Sequence, residues 1–168
     1  YPLDRKSAAF VCDWPELEKV WKFSKNSLES ATFAGVFVDG ERQRIANEMN
    51  AWMQQAGHCA LYGDYTLQRF SQAYLRKRPS ESPFGIPFAV MMAYRDYQYT
   101  GDRRFIPFCY QTFKEHLLKI PTSAEGLFIV EANASNPVTP DENFVEDSIS
   151  SLFNAAIYKA FVCMSRLA

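Results

Sequence analysis

Val36-Phe37-Val38-Asp39-Gly40-Glu41-Arg42-Gln43-Arg44-Ile45-Ala46-Asn47-Glu48-Met49-Asn50-Ala51-Trp52 begins with a short apolar run and passes through an Asp-Gly turn. It then sets three acidic side chains, two arginines, three amides and a tryptophan within the fourteen residues 39–52. A segment this polar is ordinarily a solvated helix face. Two spacings read differently. Ile45, Met49, Trp52, Met53 and Ala56 recur at helical intervals, which predicts a helix with one buried face. Gln43, Asn47 and Asn50 recur at intervals of four and three, which places them together on another face. An amide row beside an Asp-Gly turn is the wall of a cleft that hydrogen-bonds something polar. The predicted helix runs from Glu41 to Gly57, with Gly57 as its C-terminal cap.

Working outward, Tyr1 to Cys12 reads as an extended lead-in, and residues 13–168 as one domain. Asp13, Pro15 and Glu16 have the arrangement of a capping box opening a helix. Leu17, Val20, Trp21, Ser24, Leu28 and Ala31 carry it to about Thr32. Phe33 to Gly40 is a connection with a short extended part. A third helix spans Asp64 to Arg78, with Tyr65, Leu67, Phe70, Tyr74 and Leu75 inward. A fourth spans Pro87 to Tyr99, with Val90, Met91, Tyr94 and Tyr97 inward. Between it and a fifth, Arg103 to Ile120, lies Thr100-Gly101-Asp102, where Gly101 is free to take the left-handed conformation and Asp102 to cap the next helix. Pro107 belongs in the first turns of that helix. Pro121 to Glu142 is a long loop holding the apolar piece Leu127-Phe128-Ile129-Val130. A sixth helix starts at Asn143 or Asp147 and runs to Leu167, with Ile149, Leu152, Phe153, Ala156, Ile157, Ala160, Phe161 and Met164. The expected class is all-α: about six helices, joined in antiparallel pairs by short turns. The sixth helix is apolar on more than one face and therefore expects neighbours on several sides. With no initiator Met, the sequence reads as a piece of a longer chain. Either more helices follow in the parent, or this piece exposes an apolar patch and self-associates.

The totals exclude some classes. The formal net charge is −1, which argues against nucleic acid and against anionic membrane surfaces as partners. Arg76-Lys77-Arg78 falls where a helix ends, and the helix dipole accounts for cations there. No stretch is long and apolar enough for a membrane span, and the first residues lack the apolar core of a signal peptide. Cys12, Cys59, Cys109 and Cys163 are far apart with no metal-ligand spacing, so free, buried thiols are expected and neither a metal nor a cofactor is. His58 and His116 have no partner at ligand or triad spacing and read as structural.

The order Asp39-Gly40-x-Arg42-x-Arg44-Ile45, then Glu48 and Ala51, then Gln55-x-Gly57-His58, resembles the catalytic-domain signature of bacterial α-L-rhamnosidases of glycoside hydrolase family 78. Phe10-x-Cys12-Asp13 with Leu17 and Val20-Trp21 is similar to the family's entry helix. Ala93-Tyr94-x-Asp96-Tyr97-x-Tyr99-Thr100-Gly101-Asp102 is similar to its helix pair after the catalytic loop. Gly126-Leu127 and Asn154-Ala155 are weaker matches. The resemblance implies an (α/α)6 barrel of the six-hairpin glycosidase kind, here in part, with the sugar in a cleft at one end. It also implies inverting hydrolysis, in which one carboxylic acid protonates the leaving oxygen and a second carboxylate activates water. Asp39 corresponds to the family's first acidic residue, which contacts sugar hydroxyls, and Arg42 and Arg44 to its arginines. A periplasmic or extracellular compartment is implied over a cytoplasmic one.

The departures bear on chemistry. Gln43 stands where the family has its general acid Glu, and Asn50 where it has an Asp. An amide keeps the shape and much of the hydrogen bonding of an acid but does not titrate. Glu41 and Glu48 are the carboxylates nearest the amide row, and Glu131 in the long loop is a more distant cleft candidate. Trp52 is placed either to stack on a sugar ring or, by its spacing with Met49 and Met53, to sit in the core. The family's general base lies beyond the last residue of this sequence. The expectation is a glycosidase-like domain acting on or binding rhamnose-containing glycans. Its wall residues are Asp39, Arg42, Arg44, Glu48 and Trp52 for substrate, with Gln43 and Asn50 at the catalytic positions. A carbohydrate-binding pseudoenzyme and a helical scaffold domain with no ligand are the alternatives.

Overall fold

A computed structural model describes residues 8–40, 44–131 and 147–168. The described residues form six α-helices and one two-stranded hairpin, so the chain is mostly helical and of the all-α class. Its contacts gather into two compact units, Tyr1–Arg78 and Pro79–Ala168.

In the first unit, helix α1 (Pro15–Ser30) leads into strands β1 (Thr32–Phe33) and β2 (Val36–Phe37), followed by α2 (Glu48–Leu61) and α3 (Thr66–Lys77). The strands pair antiparallel, Thr32 with Phe37 and Phe33 with Val36. The two residues between them, Ala34 and Gly35, both have positive φ (50° and 81°), as a tight hairpin of primed type requires. β2 packs on both α2 and α3 and supplies the centre of this core with Val36, Phe37 and Val38. Ala51 and Cys59 from α2 and Leu67 and Leu75 from α3 complete it.

Three expectations for this unit are corrected. The cap of α1 is Trp14, with no side-chain cap hydrogen bond, and not Asp13. The residue that reaches back is Glu18, whose Oε1 accepts from the Cys12 N–H at 3.3 Å. The helix also buries none of its residues completely. Trp21, Leu28 and Ala31 are half-buried, whereas Leu17, Val20 and Ser24 are exposed.

The second correction concerns the start of α2, which is Glu48, seven residues later than the periodicity suggests. Asn47 is extended (φ −139°, ψ 157°), and its side chain accepts from the Asn50 N–H at 2.9 Å. An Asn that caps a helix satisfies one of the orphan N–H groups of the first turn, which outweighs its weak preference for the helix interior. Third, Gly57 does not end α2; the helix continues to Leu61 and is closed by Tyr62. A Cβ on Gly57 would lie 3.3 Å from the Leu28 Cδ2. The glycine therefore serves the approach of α1 to α2. The buried face is Glu48, Ala51, Gln55, His58 and Cys59. Ile45, Met53 and Ala56 are exposed, and Met49 and Trp52 half-buried.

α3 is opened by Asp64, whose carboxylate accepts from the Thr66 N–H at 2.8 Å. Leu67, Gln68, Ser71 and Leu75 are buried, while Phe70, expected inward, is exposed.

The second unit contains α4 (Gly85–Thr100), α5 (Ile106–Leu118) and α6 (Ser151–Leu167), each packed on the other two. α4 ends as expected at Gly101, which is left-handed (φ 67°) and donates its N–H to the Tyr97 carbonyl at 2.8 Å. Gly101→Ala keeps the hydrogen bond but forces a Cβ into the left-handed region. It is expected to destabilise this unit by about 1–2 kcal/mol, read as a lower urea midpoint at unchanged slope. Asp102 does not cap α5 directly. Its carboxylate accepts from the Arg104 N–H at 3.0 Å and pairs with the Arg104 guanidinium at 2.8 Å. α5 begins at Ile106 with Pro107 in its first turn. α6 begins after Ser150, whose hydroxyl accepts from the Phe153 N–H at 3.3 Å. Asn143, one of the two expected starts, lies outside the described residues, and Asp147 precedes the helix. The inward face of α6 is wide: Phe153, Ala156, Ile157, Ala160, Cys163, Met164 and Leu167 are buried. Ile149 and Leu152 are exposed. All four cysteines are free, and Cys59, Cys109 and Cys163 are buried.

Candidate functional site

The stretch that carries the acidic and arginine residues is held on a braced strand end. The Phe37 N–H donates to the buried Ser71 hydroxyl at 3.1 Å, which ties β2 to α3. The Val38 N–H donates to the Ala31 carbonyl at 2.9 Å, and the Val38 carbonyl accepts from the Gln54 side-chain amide of α2. Asp39 follows this three-sided anchor. Its N–H donates to the Ile45 carbonyl at 3.2 Å, which ties the strand end to the residues just before α2. Gly40 (φ 85°) and Arg44 (φ 52°) both have positive φ. For Gly40 the left-handed conformation is free of strain; for Arg44 it costs on the order of 1 kcal/mol, held in place by the Asp39 to Ile45 hydrogen bond.

This geometry brings Asp39, Arg44 and the N-terminus of α2 into one neighbourhood. Asp39 is half-buried and Arg44 exposed. Asn50, in the first turn of α2, is half-buried, as is Trp52. Glu48 is only 2% exposed, so its carboxylate belongs to the interior side of α2 and not to an open wall. Arg42 and Gln43, and with them Glu41, lie outside the described residues. The amide row on one helix face is not formed. Asn47 precedes the helix and spends its side chain on the cap, so Asn47 and Asn50 are joined as cap and capped residue rather than as neighbours on a face. Glu131, the distant carboxylate, lies at the end of the loop piece of the second unit and is exposed.

A set of polar side chains is buried on α2 and α3, where the sequence marks only Gln55 and His58, the first by resemblance and the second as structural. Gln55 and His58 on α2, and Gln68 and Ser71 on α3, are each no more than 1% exposed. The Cys59 thiol donates to the Gln68 side-chain oxygen at 2.9 Å. His58 is the most unusual member. Among the described residues, neither ring nitrogen has a hydrogen-bond partner. The ring lies edge-on to Phe37 (centroids 5.7 Å apart) and tilted against Tyr62 (4.9 Å). Burial holds the imidazole below its ordinary value of 6.5, with the Asp64 charge offsetting part of that effect. The available signal was the spacing of Gln54, Gln55 and His58 within one helix, but which of them faces inward depends on where β2 and α3 lie.

Among the described residues no group of three or more His, Cys, Asp or Glu side chains is gathered to hold a metal ion. Nor is any described helix long and apolar enough to cross a membrane. No family model, curated protein or solved structure matches the chain.

Proposed function

We propose that the chain is a carbohydrate-binding domain of the α-L-rhamnosidase type, built as part of an (α/α)6 barrel and acting outside the cytoplasm. The reading rests on the resemblance carried by Asp39-Gly40-x-Arg42-x-Arg44. The observation that supports it is the Asp39 N–H to Ile45 carbonyl bond, made from a strand end braced from α2, α3 and the end of α1. A carboxylate on a braced mount accepts hydrogen bonds from vicinal hydroxyls at little ordering cost. Trp52, half-buried, is the aromatic side chain the reading assigns to stacking on the sugar. Hydrolysis is not part of the proposal. Gln43 and Asn50 cannot deliver a proton, and general acid catalysis is worth about 10²–10⁴-fold.

Isothermal titration of L-rhamnose into the purified chain tests the reading. Saturable binding is expected for the wild type and at least tenfold weaker binding for Asp39→Ala. A chain with intact helical circular dichroism that gives no binding heat would sink the proposal. The second reading, a helical interaction domain, is favoured by α1, which leaves Leu17, Val20 and Phe23 exposed and buries no side chain completely. It would take precedence if the titration is silent.

A further inference from the structure

We propose that the first unit carries an acid-operated release of α1, in which His58 is the sensor, Tyr62 the coupling residue and Ala31 the pivot. The inference does not depend on the glycan reading.

It stands on how α1 is held. The helix has no fully buried side chain, so its attachment is made of a few contacts at half-buried positions. Two polar contacts meet at Tyr62: its hydroxyl donates to the Glu29 carboxylate at 2.8 Å, and the Lys25 ammonium lies 5.7 Å from its ring centroid. The same ammonium lies 5.4 Å from the Trp21 ring, and Trp21 stacks on Phe10 at 6.2 Å. Leu28 against Gly57 adds an apolar contact one turn from Tyr62 along α2. The C-terminal end of α1 is tied to the hairpin through the Val38 N–H to Ala31 carbonyl bond, which makes that point the natural pivot for the helix.

Tyr62 in turn rests on His58. The rings touch, and the Tyr62 N–H donates to the His58 carbonyl at 2.9 Å. A neutral imidazole tolerates this position as an aromatic filler. A protonated one carries two donors and a full charge into a buried site where neither nitrogen has a hydrogen-bond partner among the described residues, which drives it toward water. The direction of that movement is limited by the surroundings. β2 presents the uncharged Val36 and Phe37. The buried residues of α3 are Leu67, Gln68, Ser71 and Leu75, none charged. On α2 itself the nearby titratable group is Cys59, and Tyr62 follows as its C-cap. Asp64, after the end of α2, is the carboxylate whose charge favours the imidazolium. α1 contributes Lys25 and Glu29, both at Tyr62. The side closed by Tyr62 and α1 is the one with the fewest buried contacts, so it opens first.

The sign follows from linkage. The folded-state value of His58 lies below the unfolded one, so closure is at full strength above pH 6.5 and weakens as pH falls, because the open state binds the extra proton. Hydrogen exchange followed by mass spectrometry at pH 7.5 and 5.5, corrected for intrinsic exchange, tests this. Stopping at pH 5.5 stays above the ordinary carboxylate range of about 4. Exchange in the α1 peptides of the wild type is expected to rise severalfold over this range, up to a ceiling of about tenfold set by an open-state value near 6.5. His58→Gln and His58→Phe should both remove the rise, the first keeping a polar side chain and the second an aromatic one. The proposal is overturned if α1 exchange in the wild type changes less than twofold, or if either folded variant shows the same rise. It is equally overturned if the α3 peptides rise by the same factor, since that would be opening of the whole unit rather than release of one helix.

Discussion

Replacing Phe153 with alanine is expected to lower the stability of the Pro79–Ala168 unit by about 3–5 kcal/mol. Phe153 is 2% exposed and sits in the first turn of α6, where it meets Phe84 edge to face with centroids 5.2 Å apart. Phe84 is itself buried, stacks on Phe88 at 6.3 Å and forms the N-terminal boundary of α4. The ring therefore fills the space between the starts of two helices, and it does so with an aromatic pairing that adds about 0.5–1.5 kcal/mol to area burial alone. Truncation removes the transfer energy and leaves a cavity that Phe84 cannot fill without leaving its place against Phe88. Phe153→Leu should recover more than half of the loss, because most of the volume returns. The check is a urea titration in which hydrogen exchange is read from the α4 and α6 peptides. With a urea slope of about 1–3 kcal/mol/M, the midpoint should fall by at least 1 M for Phe153→Ala. A fall below about 0.3 M would mean that the two helix starts collapse onto the vacancy, and that the pairing is not what joins them.

The contrast between the two units shows what the residues alone reveal. In the second unit the punctuation is local. Gly101 ends α4 because a left-handed residue is needed there, and Pro107 opens α5 because its missing N–H is one of the helix's orphans in any case. Both are legible without knowing what packs where. The first unit depends on competition between alternatives of similar local energy. The polar segment 41–50 has helical spacing, yet Asn47 gains more as a cap than as a face residue, and the Asp39 to Ile45 hydrogen bond fixes Arg44 in a conformation no helix permits. That bond links residues whose approach is set by the hairpin before them, so periodicity could not disclose it. Gly57 misleads for a similar reason: a glycine near the end of a helical pattern signals a cap, but here it admits Leu28 from another helix. The candidate site was legible as a string, Asp39 through Arg44, but not as a surface. The burial of His58 is decided in part by the placement of Phe37, which comes from the hairpin and not from its own helix.

Asn154→Ala is expected to destabilise the second unit by about 2–4 kcal/mol, nearly as much as loss of a core ring, although Asn154 is only half-buried. Its carboxamide substitutes for a neighbouring strand. The side-chain oxygen accepts from the Phe128 N–H at 2.8 Å, and the side-chain nitrogen donates to the Phe128 carbonyl at 2.9 Å and to the Ser150 carbonyl at 3.0 Å. Phe128 is thereby paired on both of its backbone groups, and its ring stacks on Phe161 one face of α6 further on, at 5.9 Å. Removing the amide leaves the Phe128 N–H and carbonyl short of partners at a half-buried site, while the Ser150 carbonyl keeps the Asn154 backbone N–H, and unmade bonds of that kind cost more than made ones contribute. Asn154→Asp separates the two halves of the interaction. The carboxylate still accepts from the Phe128 N–H but faces two carbonyl oxygens with no proton to offer, so it should be no more stable than the alanine variant at neutral pH. It should recover at acid pH, as protonation restores a donor. The same result should appear locally: limited proteolysis between Pro121 and Glu131 should accelerate in both variants at neutral pH before the helices themselves are cut. If instead the aspartate variant keeps wild-type stability at neutral pH, the Phe128 N–H bond alone anchors the loop, and the two donated bonds contribute nothing measurable.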